Sequence, residues 1–413
     1  MKIIYVTAQV PWGSGETFIL PEVQEILRQG HQVTVIPLRP TRVLALGSNA
    51  AQVASVSIHL PFLGIRTLSM ALAEAIRHPM RTLAVLWHIF QYSGSSRKVL
   101  KNLAVLPKGL AIAWLIHRLK VDHIHAHWAS TPATAAYIVA NLCGLPWSFT
   151  AHRWDIGENN MLLEKARSAK FIRAISKDGQ AEIQRIIGNV LASKCHVVHM
   201  GVDLTHISVS ESLASGDIGR QERLFTLACP ANMVLIKGHR YLIEACSLLK
   251  QRGHSFLCWL FGDGPLEQEL RDQVQTAGLE SVVRFRGRWA HDDIIKLYRE
   301  GTVDVVVLPS INTASGEKEG IPVSLMEAMA MGIPVISTPT GGISELLEGG
   351  AGILVAEKDA LALVNALEIL MNDIPAWRAI SERGRLKVKE DFNEEKVIRD
   401  LFTHMALQEG QRV

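Results

Sequence analysis

Residues 302–338 constrain this 413-residue chain more than any other stretch. Thr302-Val-Asp-Val-Val-Val-Leu-Pro-Ser310 is almost continuously apolar, the pattern of a strand buried on both faces of a parallel sheet, and a polar, glycine-containing loop follows to Gly320. Pro322 suits a first helical turn, Val323 to Met331 continue as helix, Gly332 and Pro334 stop it, and Pro334 to Thr338 begins the next strand. Unpaired amides near Gly320, Ile321 and Val323, together with the positive end of the helix dipole, make an anion site. Glu319 precedes the helix and Glu327 lies inside it, with seven residues between them. Carboxylates accept hydrogen bonds from hydroxyls, so a ligand with phosphate between two polyol groups satisfies both, and a nucleotide sugar has that form. A lone pair of glutamates reads more simply as a dipole-stabilising acid and a solvated one.

The rest of the chain supports a larger α/β architecture. Strand Lys2 to Thr7, loop Ala8 to Glu16, helix Thr17 to Gln29, a stop at Gly30 and strand Gln32 to Leu38 form a βαβ opening. Gly13 and Gly15 do not complete a Gly-x-Gly-x-x-Gly fingerprint, which argues against NAD. Trp147 to His152 is another strand, and His152 stands at its carboxyl end, where such sheets present functional groups. Leu224 to Ala228, Phe256 to Phe261, Val282 to Arg286, Val303 to Leu308 and Val335 to Ser337 alternate with helical stretches and give a second doubly wound parallel sheet. The polar segment 206–222 reads as a linker. The expected division is 1–205, 223–385 and a closing helix in 386–413 that packs back on the first domain.

Composition excludes several classes. Hydrophobic content of 48% with 20% charged residues reads as globular, and the five cysteines form no paired spacing, which fits a reducing compartment. The first strand begins at the N-terminus without a signal-peptide pattern, so the cytoplasm is expected. Charge is uneven: +10 over residues 1–205 (21 basic, 11 acidic) against −7 over 206–413 (22 basic, 29 acidic). Residues 60–120 hold Arg66, Arg77, Arg81, Arg97, Lys98, Lys101, Lys108, Arg118 and Lys120 against Glu74 alone, with Phe62, Leu63, Leu83, Leu86, Trp87, Phe90 and Trp114 between them. Two readings stay open there: amphipathic helices lying on an anionic membrane, or core helices with solvated outer faces. Thr82 to Tyr92 and Leu110 to Ile116 are too short for the roughly 20 apolar residues that span a bilayer, so no transmembrane segment is expected. His123, His125 and His127 share one face of an extended strand, but without a fourth-ligand pattern they read as hydrogen-bonded or partly exposed histidines and no metal is expected.

Glu319 and Glu327, followed in order by Pro334-Val-Ile-Ser-Thr-Pro-Thr-Gly-Gly342, Glu345 and Gly352-Ile-Leu-Val355, resemble the Glu-x7-Glu motif and its tail in the retaining GT-B glycosyltransferases of family 4, the group 1 enzymes. The resemblance spans nearly the whole chain and implies two Rossmann-like domains facing a central cleft. By it, Glu327 holds the donor ribose, and Glu319 with Gly320, Ile321, Pro322 and Val323 contacts the donor sugar and diphosphate. Lys237 corresponds to the family's phosphate-binding lysine, while Asn232 stands where an arginine is usual, a departure with three open readings: weaker phosphate binding, a different donor, or substitution by Arg240 or another base. Gly262 and Arg286 lie near the expected nucleotide base, and His152 near the reacting centre, so His152, Glu319 and Lys237 form the implied catalytic set. Gly13, Gly15 and Glu16 shape the acceptor side. Ser176 matches a family serine, although a helix cap explains it equally well.

Ser14-Gly-Glu-Thr-Phe18 and Phe149-Thr-Ala-His-x-x-Asp-Ile156 resemble the subgroup that builds bacterial exopolysaccharide. That implies a nucleoside-diphosphate sugar donor and a glycan or polyprenyl-diphosphate-linked acceptor. It also implies no cofactor and no metal requirement; no nucleic-acid partner is expected, and the membrane reading of residues 60–120, one of the two left open, would add peripheral contact with the anionic inner face of the cytoplasmic membrane. Two other readings remain: a nucleotide-sugar epimerase on the same fold, and a non-catalytic nucleotide-sugar-binding protein, which Asn232 alone encourages.

Overall fold

The computed structural model describes residues 1–13, 16–45, 48–204 and 223–406. Gly15 and the expected linker 206–222 lie outside the described residues. The chain forms two compact units: residues Met1–His199 with Glu394–Val413, and Met200–Asn393.

Unit 1 runs β1 (Lys2–Thr7), α1 (Ile19–Arg28), β2 (Gln32–Pro37), α2 (Ser48–Ser55), α3 (Ile65–Arg77), α4 (Pro79–Tyr92), α5 (Ser96–Ile116), β3 (His123–His127), α6 (Thr131–Cys143), β4 (Trp147–Ala151), α7 (Arg153–Glu158), α8 (Leu162–Ser168), β5 (Phe171–Ala174), α9 (Lys177–Ile187), α10 (Asn189–Ala192) and β6 (Cys195–Val197). Its strands pair in parallel in the order β2-β1-β3-β4-β5-β6. Strands buried on both faces must be apolar throughout or satisfy each polar group internally. β3 does the latter. The rings of His123 and His125 both bond Ser148 Oγ on the neighbouring strand, at 2.7 and 2.8 Å, and His125 also reaches Thr150 Oγ1 at 2.9 Å.

Unit 2 runs β7 (Phe225–Pro230), α11 (His239–Gln251), β8 (Phe256–Phe261), α12 (Glu267–Thr276), β9 (Val283–Gly287), α13 (His291–Arg299), β10 (Val305–Leu308), α14 (Val323–Ala330), β11 (Val335–Ser337), α15 (Ile343–Leu346), β12 (Ile353–Leu354), α16 (Ala360–Asn372) and α17 (Ile374–Asp391). Its strand order is β12-β11-β10-β7-β8-β9, again parallel. Numbered within the unit, that is the 3-2-1-4-5-6 order of a dinucleotide-binding fold, whose ligand crevice opens where the order reverses, here between β7 and β10. The buried strand expected over residues 302–310 is confined to β10, because Thr302 and Gly301 turn out of the preceding helix and Ser310 turns back onto Leu308.

The final helix, α18 (Glu394–Ala406), belongs to unit 1: Val397, Ile398, Leu401, Phe402 and Met405 join a core with Ile3, Tyr5, Ile19 and Val23. The expected boundary at 386 moves to 394. The reason is α17, which stays in unit 2 through the Trp377 indole bonded to the Asp304 carbonyl and Ser381 bonded to Gly332.

Helix α5 corrects two expectations. It has 21 residues and a best-window mean hydropathy of 1.5, long and apolar enough to cross a membrane by length and composition, where the sequence reading saw only short runs. Leu110 to Ile116 is only the second half of this helix, which also takes in Pro107 and Lys108. Half of that window is buried inside the unit, which makes α5 a core helix. Lys108, grouped with the surface bases, is fully buried and donates to the Leu60 carbonyl.

Burial lowers the Lys108 pKa to about 7, against 10.5 for the free side chain. Below pH 7 both folded and unfolded chains carry the proton and the full cost of burying it persists. Between about 7 and 10.5 only the unfolded chain holds it, so folding gains with rising pH, by at most about 1.4 kcal/mol per unit. Lys108→Met is therefore expected to be more stable than the parent in urea at pH 6.5, with an advantage that shrinks by pH 9.5; a constant difference would contradict a neutral folded-state lysine.

Candidate active-site halves

In unit 2 the loops after β7 and β10 meet at the reversal of strand order. After β7, Ala231 to Val234 lead into a 3-10 turn, Leu235–Lys237, and Gly238 opens α11 at φ 66°. A Cβ on Gly238 would lie 1.9 Å from the Pro309 carbonyl oxygen, so only glycine lets the two loops touch. Ile311 N–H donates to Ile236 O across the junction at 2.8 Å. This closure brings Lys237 Nζ to 2.6 Å from Glu319 Oε2, which also accepts from Ser310 Oγ at 3.2 Å. Lys237 and Glu319, 82 residues apart, thus form one ion pair.

The loop after β11 supports that pair from below. Gly342 N–H donates to Gly320 O at 3.1 Å, and a Cβ on Gly341 would sit 1.6 Å from Glu319 O. Pro322, expected in the first helical turn, is the N-cap of α14 with an extended ψ of 120°. Val323 is the first helical residue, and the first amides of the helix have no intrahelical acceptor. Glu327, one turn inside, bonds the ring of His291 at 2.7 Å, and this hydrogen bond leads the effects that raise the His291 pKa to about 9. The buried Tyr298 hydroxyl has no hydrogen-bond partner, and burial, then the charge of Glu327, raises its pKa. His291 and Tyr298 escaped the sequence reading, because both look like ordinary residues of an amphipathic helix.

At the carboxyl ends of β8 and β9, Gly262 N–H donates to Gly287 O at 2.8 Å. The Arg286 guanidinium lies over the rings of Trp259 and Trp289, at 5.2 and 4.9 Å. Asn232 is exposed after β7, and Arg240 lies over Tyr241, 5.9 Å from its ring centre.

Unit 1 carries the other predicted residues. His152, the N-cap of α7, is buried; its N–H donates to Asp155 Oδ1 at 2.7 Å, and Asp155 Oδ2 accepts from Ala129 N–H at 2.7 Å. The His152 ring continues a buried chain: Nε2 lies 2.8 Å from His127 Nε2, and His127 Nδ1 lies 3.0 Å from the Tyr5 hydroxyl. Tyr5 donates to Glu22 Oε1, and Arg173 donates to Glu22 Oε2 at 2.9 Å. Burial alone would raise the Glu22 pKa, but Arg173 and the donors around it hold the carboxyl well below the usual range. With Glu22 ionised and Tyr5 donating to it, the directions are assigned: His127 Nδ1–H donates to Tyr5, His152 Nε2–H donates to His127, and His152 keeps its lone pair on Nδ1. Burial, followed by neighbouring positive groups, lowers the His152 pKa and keeps it neutral. This chain was invisible in the sequence, since Glu22 and Arg173 are 151 residues apart.

A cleft of about 470 Å3 lies beside it, lined by Gln9, Glu16, Arg39, Lys101, Trp128 and Trp154 among others. Trp128 is held at φ 99°, a conformation that costs a bulky residue on the order of 1–3 kcal/mol, and such strain clusters at functional sites. Glu16 lines the cleft but its carboxylate is taken by the loop: Gln9 and Val10 amides donate to Oε2 at 2.7 and 3.2 Å, and the Trp128 indole donates to Oε1. Gly13 sits in the same loop at φ 135°, over Gln9. Ser176 caps α9, accepting from Gly179 N–H at 3.1 Å.

Residues 15–206 match the family model described as Glycosyltransferase Family 4, and residues 214–387 match Glycosyl transferases group 1. The chain is 38% identical over 210 residues to the putative colanic acid biosynthesis glycosyltransferase WcaL of Escherichia coli, covering 50% of each. It is 29% identical to the amylovoran biosynthesis glycosyltransferase AmsK of Erwinia amylovora, over 97% of this chain and 98% of that one. The chain spans about half the length of the colanic acid relatives it matches. Among solved structures, Anabaena Alr3699/HepE in complex with UDP superposes with a TM-score of 0.70 at 17% identity, covering 98% of this chain and all of that one. A glycosyltransferase from Rickettsia africae gives 0.67 at 18%, covering 98% and 97%. With each parallel-sheet unit carrying its own family match, the chain belongs to the family 4, group 1 glycosyltransferases of GT-B fold.

Proposed function

We propose that the protein transfers a hexose-type sugar from a nucleoside-diphosphate donor to a hydroxyl of a glycan or polyprenyl-diphosphate-linked acceptor, with retention of configuration and without a metal at the donor site. The observation that carries this reading is the Lys237–Glu319 pair, set beside the open start of α14 where the unit 2 strand order reverses. The glycosidic bond to the diphosphate breaks as the acceptor oxygen bonds the same face of the sugar, and the acceptor's proton passes to the departing phosphate oxygen. Negative charge grows on the diphosphate, and fixed donors aimed at it lower the barrier. Lys237 has three N–H donors; one is held by Glu319 and two remain for phosphate oxygens. Glu327, steadied by His291, accepts from ribose hydroxyls, and the Arg286–tryptophan stack offers a flat face for the base. UDP in the Anabaena structure makes uridine donors the first to test.

In unit 1 the Trp128–Trp154 cleft suits a sugar ring, and Arg39 and Lys101 in its wall suit a lipid-borne diphosphate. Exposed apolar residues at helical spacing support membrane contact: Ile65, Leu68, Leu72 and Ile76 on α3, and Met80, Leu83, Trp87 and Phe90 on α4. Exposed Arg66, Arg77, Arg81 and Arg97 stand near them in sequence, and the stretch's one acid, Glu74, is buried. This is the surface of a protein seated on the inner face of an anionic cytoplasmic membrane. Five unpaired cysteines fit that reducing compartment.

Three measurements test these assignments. Thermal stabilisation by a panel of UDP- and GDP-sugars, followed by donor hydrolysis, should single out one donor, and Lys237→Ala and Glu327→Ala should each weaken its binding about 10- to 100-fold, the worth of a charge-assisted contact. Near-parental hydrolysis in both variants would remove the site; a released, altered sugar would make the protein an epimerase, and binding without turnover a non-catalytic receptor.

Glu22→Gln leaves Arg173 buried without its counter-charge and should cost about 3–5 kcal/mol in urea unfolding while lowering turnover more than donor affinity. Unchanged turnover in the folded variant would disconnect the chain from His152.

Sedimentation with phosphatidylglycerol vesicles, and not with phosphatidylcholine, should weaken with salt and fall in Leu72→Glu and Trp87→Glu. Equal, negligible association with both lipids would leave a soluble acceptor.

A further inference from the structure

Glu74 is the single acid among residues 60–120, and its position is chemically expensive. It is fully buried in the last turn of α3, where exposed carbonyls and the negative end of the helix dipole oppose a carboxylate. His78, four residues on, caps the same helix, and His117 caps the end of α5, which packs against α3. The three side chains converge. Glu74 Oε1 lies 3.0 Å from His117 Nε2 and 3.9 Å from His78 Nε2, and the ligand atoms all fall within 4.8 Å of one another. The two rings are 5.3 Å apart, tilted by 38°.

A plain Glu74–His117 ion pair does not account for this arrangement. Glu74 Oε2 and His78 Nε2 are both buried and, among the described residues, both lack a hydrogen-bond partner. Nearby guanidinium groups face other targets: Arg77 and Arg118 lie over Trp114, and Arg81 donates to the Leu142 carbonyl. The Cys143 thiol donates to the Ala113 carbonyl at 3.9 Å.

We propose that Glu74, His78 and His117 bind one divalent transition-metal ion, with zinc the best match to two imidazoles and a carboxylate. Ligands about 2.0–2.1 Å from a tetrahedral zinc stand roughly 3.4 Å from each other, inside the spread of distances here. His78 and His117 side chains are 27% and 22% exposed, so a water completes the fourth position from solvent. The ion would satisfy the orphaned His78 Nε2 and, if the carboxylate binds through both oxygens, Glu74 Oε2, offset the buried charge, and staple the junction of α3 and α4 to the end of α5. This site holds structure; none of the donor-site residues is on these elements.

The full chain, stripped with a chelator, should bind one equivalent of Co2+ with visible ligand-field absorption of a four- or five-coordinate ion, and Zn2+ should displace it. Its thermal midpoint should rise with Zn2+. His78→Ala and His117→Ala should each abolish the cobalt band and the thermal shift, while His254→Ala, whose ring pairs with Glu368 in unit 2, keeps both. The wild-type cobalt spectrum reads the site directly, so the inference stands or falls even where Glu74→Gln does not fold. No saturable equivalent, or a band that survives both histidine substitutions, would overturn it and leave Glu74 and His117 as an ion pair.

Discussion

Parallel pairing of β7 with β10 is the constraint from which the donor half follows. In a parallel sheet each strand must leave by its carboxyl end, and at the point where strand order reverses the two exits turn to opposite sides. The gap between them cannot be filled by the next strand. Here it is bridged by Ile311 N–H on Ile236 O and closed by the contact that Gly238 permits. Lys237 and Glu319 meet because their loops do. Neither residue is near the other in sequence, and apart from the short 3-10 turn Leu235–Lys237 neither loop has regular structure to hold it.

The two halves hold their charges differently. Lys237 and Glu319 are 21% and 13% exposed, wet enough for a phosphate to exchange with water at the ammonium. Glu22 and Arg173 are fully buried and bound on every side, the arrangement of a strut. Through Tyr5 and His127 that strut reaches His152, so ring orientation there depends on β1, α1 and β5 together. Burial of a satisfied network gives rigidity, while partial exposure of a simple pair gives a binding site.

Much of the architecture was legible because buried parallel strands are written as apolar runs of distinctive length, from Lys2–Thr7 to Val335–Ser337. The stretch from Glu319 to Glu327 was legible too, since a strand end, a loop and a helix start are local events. What escaped reading depended on contacts distant in sequence. Glu22 looks like an ordinary first-turn acid until Arg173 is seen beside it, and His291 looks like an exposed cap until Glu327 is. Lys108 looks like a surface base because periodicity carries no sign of whether a helix is covered on one side or on both. The same ambiguity hid the stripes on α3 and α4: leucines at intervals of three and four mean a packed face or a bare one, and only the fold says that Ile65 and Leu72 are bare.

Net charge misleads about where an anion binds. Residues 206–413 carry −7 overall, yet the features proposed to bind phosphate stand in that half. At physiological ionic strength charges are screened over about 8 Å, so acids scattered over unit 2 contribute little at the mouth between β7 and β10. Within that range the lysine, the helix start and the first amides of α14 act together, and Glu319 cancels only part of the lysine's field while fixing its direction. Unit 1 presents the reverse case. Its excess of bases is spread along helices that also expose apolar residues, and Lys98 bonds the Asn159 carbonyl, so most of that charge acts across a surface, while Lys101, paired with Glu158, lines the cleft. A focused field needs opposed charge to aim it; a surface attraction needs only the absence of acid.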